Sequence, residues 1–79
     1  MTMITALVLV KLISGKEAQA LEQIKQVEGV AHVSAVFGRW DLVLDMQTED
    51  LPILSNTVVH QIRSIPGVLS TETLVTTAM

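Results

Sequence analysis

The chain repeats one pattern in its two halves, and this repeat constrains the fold more than any other feature. "VEGVAHVSAV" (27–36) aligns with "IPGVLSTETL" (65–74): an apolar residue, any residue, Gly, Val, and then a strand-like run. A helical segment precedes each copy, and a strand-like segment precedes each helix. The sequence therefore predicts two strand–helix–strand units in succession.

The predicted elements carry recognisable boundary signals. Ser14 and Glu17 have the spacing of a capping box at the start of the first helix. Thr48 or Asp50 can cap the second helix, which contains a Pro in its first turn. The predicted strands are 3–13, 30–37, 40–47 and 68–77, and the predicted helices are 16–27 and 48–65.

Apolar spacing identifies the inner faces of these elements. The segment 40–47 alternates strictly, so Trp40 is expected on the same inner face as Leu42, Leu44 and Met46. The first strand is apolar at both parities, and both of its faces are expected to be buried. The helical stripes are Ala20, Leu21, Ile24 and Val27, and then Leu51, Leu54, Val58, Ile62 and Ile65.

This order of elements predicts an α+β, ferredoxin-like βαββαβ sandwich of the dimeric α/β-barrel type, with two helices on one face of a four-stranded antiparallel sheet. The 79 residues are expected to form one domain, 1–79. A chain of this size buries only about 60% of its unfolded surface. It has no Cys, and 49% of its residues are hydrophobic. An apolar sheet face without a helix over it favours a homodimer joined sheet to sheet.

The charge and the N-terminal segment exclude several classes of partner. The net charge of −3 gives no basic footprint for nucleic acid. The opening "MTMITALVLVKLISG" lacks a basic residue before its apolar run, which Lys11 interrupts, so it does not match a signal peptide. The run is also too short to span a bilayer. We expect a cytoplasmic protein that binds neither a membrane nor DNA directly.

The titratable residues form no recognisable catalytic set, and no cofactor or metal is expected. The sequence lacks a Gly-rich phosphate loop and a Gly-x-Ser-x-Gly motif. Asp41 and Asp45 would lie about 13 Å apart on one strand face, which is wide for a carboxylate pair. His32 is expected at a partly buried or edge strand position, and His60 on the solvated side of the second helix.

The turn "GRWD" is the best candidate for a binding site, and two interpretations of it stay open. Gly38 permits a close backbone approach, Arg39 offers a fork for a carboxylate, and Asp41 can accept from an ammonium group. Alternatively the turn is only structural: Trp40 anchors a dimer core, and Asp41 holds turn N–H groups. The residues alone favour the structural interpretation.

The sequence resembles the effector-binding, or RAM, domain of the Lrp/AsnC regulators over its whole length. The resemblance rests on "ITALVLVKL", "VEGVAHVSAVFGRWDLVLDM" and "IRSIPGVLSTETLVTT". Its most specific part is Gly-x-x-Asp-Leu, matched by Gly38, Asp41 and Leu42. The second part is Pro-Gly-Val followed by Thr-x-Thr, in which Thr71 and Thr73 supply the threonines.

The resemblance implies a domain that dimerises through its sheets and assembles further, up to an octamer, with amino-acid effectors bound in clefts between dimers. The implied ligand-binding residues are Gly38, Arg39, Trp40, Asp41, Thr71, Glu72 and Thr73. The helix-turn-helix domain that family members carry is missing here. The chain is therefore expected to be a stand-alone effector module, or a truncated piece, that binds amino acids itself or associates with full-length regulators.

The competing prediction is a small dimeric ferredoxin-like enzyme, of the cofactor-free monooxygenase or isomerase type. His32, Arg39 and Trp40 would then line a pocket inside one protomer. The Gly-x-x-Asp-Leu hairpin and the second Pro-Gly-Val unit favour the effector module, which is not an enzyme. The position of the ligand distinguishes the two: between dimers for the module, inside one protomer for the enzyme.

Overall fold

The computed structural model describes residues 3–76, and the order of its elements confirms the predicted one. The C-terminal end of the predicted last strand, Thr77, lies outside the described residues. The elements are β1 (Ile4–Leu12), α1 (Glu17–Ile24), β2 (Val30–Ala35), β3 (Leu42–Thr48), α2 (Leu51–Thr57), a π-helical segment (Val58–Ile62) and β4 (Val68–Val75).

The four strands form one antiparallel sheet in the order β2-β3-β1-β4, which is the predicted ferredoxin-like topology. The helices cover one face of it, and the core lies between the two layers. The helical stripes are confirmed except at Leu51, which is 55% exposed. The buried core consists of Ala6, Val8, Val10, Leu12, Ala20, Ile24, Leu42, Leu44, Met46, Leu54, Val58, Ile62 and Ile65.

The second face of β1 is open within one protomer, so the prediction that both faces are buried is wrong for the isolated chain. Leu7 is 37% exposed on this face, while Ala6 and Val8 on the inner face are fully buried. Leu9 is half-buried. The apolar residues at odd positions of β1 therefore belong to a surface that the helices do not cover.

The starts of the two helices differ from each other in how they are capped. Asp50 caps α2 as predicted: its Oδ1 accepts from the Ile53 N–H at 2.9 Å. The predicted capping box of α1 is wrong, because the N-cap is Lys16 and no side chain caps it. Glu17 instead accepts from the Gly15 N–H at 2.8 Å, since the chain makes an additional turn there.

The end of α1 comes earlier than predicted. The helix was expected to reach Val27 but ends at Ile24. The Gln26 and Val27 N–H groups bond to Gln23 and Ile24, three residues back, so the chain tightens out of α-helical geometry. Gly29 follows with a φ of +101° and leads the chain into β2.

The connection between β2 and β3 is a six-residue loop, 36–41, rather than a tight turn at Gly38-Arg39. Phe37, predicted in a strand, is fully exposed in this loop, with a relative exposure of 106%. Trp40 is also in the loop and is half-buried, so it does not belong to the core layer of Leu42 and Leu44 within one protomer. The sequence pattern of a strand thus continues through 36–40, although the pairing between β2 and β3 has already ended.

Across residues 3–76, none of the helices is both long enough and apolar enough to cross a membrane.

Candidate functional site

Asp41 is the member of the predicted site whose contacts are best defined. Its Oδ2 accepts from the Leu12 N–H at 2.8 Å and lies 3.6 Å from the Lys11 Nζ. The Asp41 N–H donates to the Val10 carbonyl, and its carbonyl accepts from the Val36 N–H. The Asp41 carboxylate therefore accepts from the Leu12 N–H, beyond the point where the β1–β3 ladder ends at Val10 and Leu42.

These contacts change the interpretation of Asp41. We expected it to accept from turn N–H groups or from a ligand ammonium, whereas its acceptor is already engaged by a strand 29 positions away in sequence. The Lys11 ion pair leaves both side chains more than a third exposed. Asp41 thus fixes the loop to the central strand, and any ligand contact would have to share its carboxylate.

The rest of the loop presents groups to solvent. Gly38 has a φ of +125°, in a region that L side chains rarely adopt, and nothing lies within 4 Å of a Cβ built there. Arg39 is exposed, with no hydrogen bond or ion pair to another residue of 3–76. The loop is therefore an exposed structure with one free guanidinium and one free aromatic ring, that of Phe37.

The predicted residues of β4 divide between the two faces of the sheet. Thr71 and Thr73 lie opposite Val10 and Val8 of β1, which are core residues, so both threonines face the helix layer. Glu72 lies opposite Leu9 and faces the open side. The three residues therefore cannot contact one ligand from within a single protomer.

Thr71 and Thr73 line a groove between β4 and the helical stretch formed by α2 and the π-helical segment. The groove has a volume of about 440 Å³. Arg63 is the charged residue along it, and the remaining polar groups are hydroxyls. The lining residues are Leu51, Leu54, Ser55, Val58, Val59, Arg63, Thr71, Thr73 and Val75. We call this feature the α2–β4 groove.

The loop and the groove lie on opposite sides of β1, and the groove extends along β4 from Thr71, opposite Val10, to Val75, opposite Ala6. Asp41 contacts β1 from the β3 side at Lys11, and Ser70 of β4 pairs with Lys11 from the other side. Two strand spacings, about 10 Å, separate them. The two halves of the predicted site are therefore not joined in one protomer.

The sequence reasoning missed the helical wall of the groove. Ser55, Val59 and Arg63 recur at intervals of four residues, one position after the inner stripe of Leu54 and Val58. This second stripe was the signal that could have revealed them. The π-helical segment, in which the Arg63 N–H bonds to the Val58 carbonyl, shifts the stripe relative to an ideal helix.

The residues proposed for an enzyme are not assembled into a pocket. His32 is exposed on β2, while Arg39 and Trp40 lie in the loop beyond that strand. No group of three or more His, Asp or Glu side chains within residues 3–76 could hold a metal ion. His60 is exposed, as predicted.

A larger cavity, of about 520 Å³, lies at the opposite end of the sheet. Two carboxylates, Glu28 and Glu49, line it together with two amides, and none of its lining residues is cationic. An anionic group would meet only like charge there. The α2–β4 groove is therefore the better candidate for a ligand that carries a carboxylate.

The fold defines a small ferredoxin-like α+β domain with one open sheet face and a ligand-sized groove on the other side. Domains of this shape serve several functions, so the fold alone does not name one. The chain belongs to the Lrp/AsnC ligand binding domain family, whose model matches residues 5–78.

The curated relatives are regulators of greater length. An uncharacterized HTH-type transcriptional regulator of Pyrococcus abyssi is 34% identical over 59 residues, covering 75% of this chain and 39% of the regulator. The chain thus spans about two-fifths of the length of the curated relatives it matches.

Solved structures confirm the fold. A Thermus thermophilus protein superposes with a TM-score of 0.90 at 34% identity, covering 96% of this chain and 95% of that one. A Neisseria meningitidis transcriptional regulator, solved as a complex with L-Met, superposes with a TM-score of 0.85 at 19% identity, covering 95% of this chain and 50% of the regulator.

Proposed function

We propose that residues 1–79 form one domain that binds an amino acid or a similar small effector and couples this binding to oligomerisation. It would act by ligand-dependent assembly or by association with full-length Lrp/AsnC regulators, in the cytoplasm, and not as an enzyme. The observation that carries the proposal is the α2–β4 groove, in which one guanidinium and several hydroxyls face an aliphatic wall.

The groove has the chemistry that a small carboxylate with an apolar side chain requires. Arg63 presents a planar fork that matches a carboxylate in a bidentate geometry. The hydroxyls of Thr71 and Thr73 are free to donate or accept. The aliphatic side chains of Leu54, Val58 and the neighbouring residues would cover an apolar side chain, and the volume is in the range of small-molecule sites.

The backbone of β4 supplies acceptors for an ammonium group. β4 is an edge strand, with β1 as its neighbour on one side. The carbonyls on its outer edge are therefore available to a ligand amine. Because no carboxylate lines the groove, these carbonyls, and not an acidic side chain, are the proposed partners of an α-amino group.

The loop residues enter the site from a neighbouring copy in this proposal. The loop with Gly38, Arg39, Trp40 and Asp41 joins β2 to β3, and Asp41 contacts β1 from the β3 side, across that strand from β4 of the same protomer. A second dimer placed against the groove could bring its exposed loop to the ligand. Higher assembly, up to an octamer, would then depend on the effector.

The open sheet face is the proposed dimer contact. Leu7 and Leu74 lie opposite each other across β1 and β4, at 37% and 45% exposure. Leu9 and Val43 form the next pair toward the loop. A second copy packed on this face would remove the rest of these four side chains from water, and because each is already more than half buried, each contributes less than the roughly 1.5–3 kcal/mol of burying a fully exposed one.

A thermal-shift screen against the twenty amino acids tests the ligand proposal, beginning with L-Met and the other apolar ones. A ligand at about 100 times its Kd adds about 2.7 kcal/mol of stability, which raises the melting temperature of a domain of this size by about 10 to 20 °C. Arg63→Gln is expected to abolish the shift, while Lys25→Gln, at an exposed site outside the groove, should retain it.

Arg39→Gln separates the two candidate sites, because Arg39 and Arg63 are the two arginines of the sequence. A shift that survives Arg63→Gln but disappears with Arg39→Gln would move the site from the groove to the loop. If none of the twenty amino acids raises the melting temperature, the amino-acid proposal is wrong. For an amino acid that does raise the melting temperature, sedimentation with and without it measures assembly separately.

A further inference from the structure

The open sheet face contains an acidic side chain among apolar ones. Asp45 is half-buried at the centre of this face, between Leu7 of β1 and His32 of β2. No hydrogen bond or ion pair joins its carboxylate to another residue of 3–76. The protomer therefore leaves this carboxylate to be solvated by water.

His32 is the nearest group that could neutralise Asp45. The two residues are direct partners in the β2–β3 ladder, so their Cβ atoms lie about 4.5–5.5 Å apart on the same face. The imidazole is exposed and makes no ion pair with Asp45 in the protomer. A change of rotamer is enough to bring the two side chains together.

The other charged groups on this face are engaged or distant. Lys11 is paired with Asp41 near the loop, about 13 Å along β1 from the row of Asp45. Glu72 of β4 lies beside Leu9 and is itself acidic. Arg39 belongs to the loop that follows β2. The helices pack against the opposite face, and the charge they bring nearest is that of Lys25 at the end of α1, which lines a pocket with His32 at the outer edge of β2.

We infer that the dimer formed through the open face takes up protons as it assembles, with His32 as the group that binds the proton and Asp45 as the carboxylate that it neutralises. This inference rests on the sheet-to-sheet dimer of the proposed function. A second copy on this face removes water from Asp45, and an unpaired buried carboxylate is strongly unfavourable. An imidazolium beside it supplies the missing charge and hydrogen bond.

The sign of the pH dependence of dimer stability follows from this proton uptake. Imidazole changes its charge between about pH 5 and pH 8. The dimer binds more protons than two separate protomers, so its stability is greatest at the acidic end of this range and decreases as the pH rises. The upper limit is two protons per dimer, or about a hundredfold in the dissociation constant per pH unit.

The test is the dimer dissociation constant of the full chain, measured by sedimentation equilibrium at about pH 6 and about pH 8. We expect this constant to be at least about tenfold smaller at the lower pH. Where dimers are too tight to dissociate in the instrument, urea unfolding at two protein concentrations measures dissociation coupled to unfolding instead.

Three variants assign the effect. His32→Gln is expected to remove the pH dependence and keep the weaker dimer of high pH. Asp45→Asn should also remove it, but with a dimer as tight at about pH 8 as the unmodified dimer at about pH 6, because the amide needs no counter-charge. His60→Gln, which changes the other histidine, on the helical side, should retain the full dependence.

The outcomes separate this inference from the proposal beneath it. A stable dimer whose constant changes by less than about threefold over this range would refute proton uptake and leave the sheet-to-sheet dimer standing. A pH dependence that persists in His32→Gln would refute the assignment. A protein that stays monomeric at both pH values would refute the dimer itself, and this inference with it.

Discussion

Removing the Asp41 carboxylate should destabilise the fold itself. In the structure, the Oδ2 atom holds the Leu12 N–H at 2.8 Å, and Leu12 is a core residue only 6% exposed. Alanine leaves that N–H without its acceptor beside the core.

The size of the effect can be estimated from its two contacts. A hydrogen bond to a charged acceptor contributes about 1.5–3 kcal/mol, and a buried N–H left without a partner costs about 1–3 kcal/mol. The Lys11 pair adds little, because both side chains are more than a third exposed and exposed pairs contribute about 0–1 kcal/mol. We therefore expect a loss of about 2 kcal/mol.

Urea unfolding at fixed protein concentration measures this loss, which corresponds to a fall of about 8 to 16 °C in melting temperature. Lys11→Met, which removes only the ion pair, is the matched control and should change stability by less than about 0.5 kcal/mol. Asp41→Asn retains an acceptor oxygen and should fall between the two. An Asp41→Ala protein within about 0.5 kcal/mol of the unmodified chain would refute the reasoning.

Four further results are expected. Asp50→Ala should cost about 1 kcal/mol in urea unfolding through loss of the α2 cap, whereas Ser14→Ala, which caps nothing, should be neutral. Gly67→Ala should cost at least about 1 kcal/mol more stability than Gly38→Ala, because both glycines have positive φ, but a Cβ at position 67 would lie 3.0 Å from the Lys16 Cβ whereas one at position 38 would meet nothing within 4 Å; equal losses would contradict this. Trp40→Ala should lower protomer stability by about 1–2 kcal/mol, less than the roughly 3–5 kcal/mol of a fully buried aromatic, and a larger loss in dilute protein would place Trp40 in the core. The protein alone should not bind DNA in a mobility-shift assay, because its net charge is −3. A shift with a steep salt dependence would contradict this prediction.

The features that could be predicted from the sequence are those that depend on local periodicity. The alternation of Leu42, Leu44 and Met46 predicts the inner face of β3. The stripe of Leu54, Val58 and Ile62 predicts the inner face of α2 and of the π-helical segment that continues it. Both predictions are confirmed. Leu51 continues the stripe in sequence but lies at the first position of α2 and is 55% exposed.

The features that could not be predicted depend on where the strand ladders end. Trp40 has the parity of a core residue, yet pairing between β2 and β3 ends at Ala35 and Leu42, and alternation has no meaning beyond it. The role of Asp41 depends on a strand 29 positions earlier. The faces of Thr71 and Thr73 follow from the β1–β4 register, which shifts between Lys11 and Leu12. None of these non-local facts leaves a periodic signal.

The central position of β1 has a consequence for how the chain reaches its fold. β1 is synthesised before both of its neighbours in the sheet, β3 and β4, and Ala6 pairs with Val75 of the last strand. Only the β2–β3 hairpin can form from nearby residues. The closing of such distant loops is slow, and until β4 arrives the apolar β1 has an open edge. We therefore expect slow folding, with β1 as the segment that most needs protection from aggregation until β4 pairs with it.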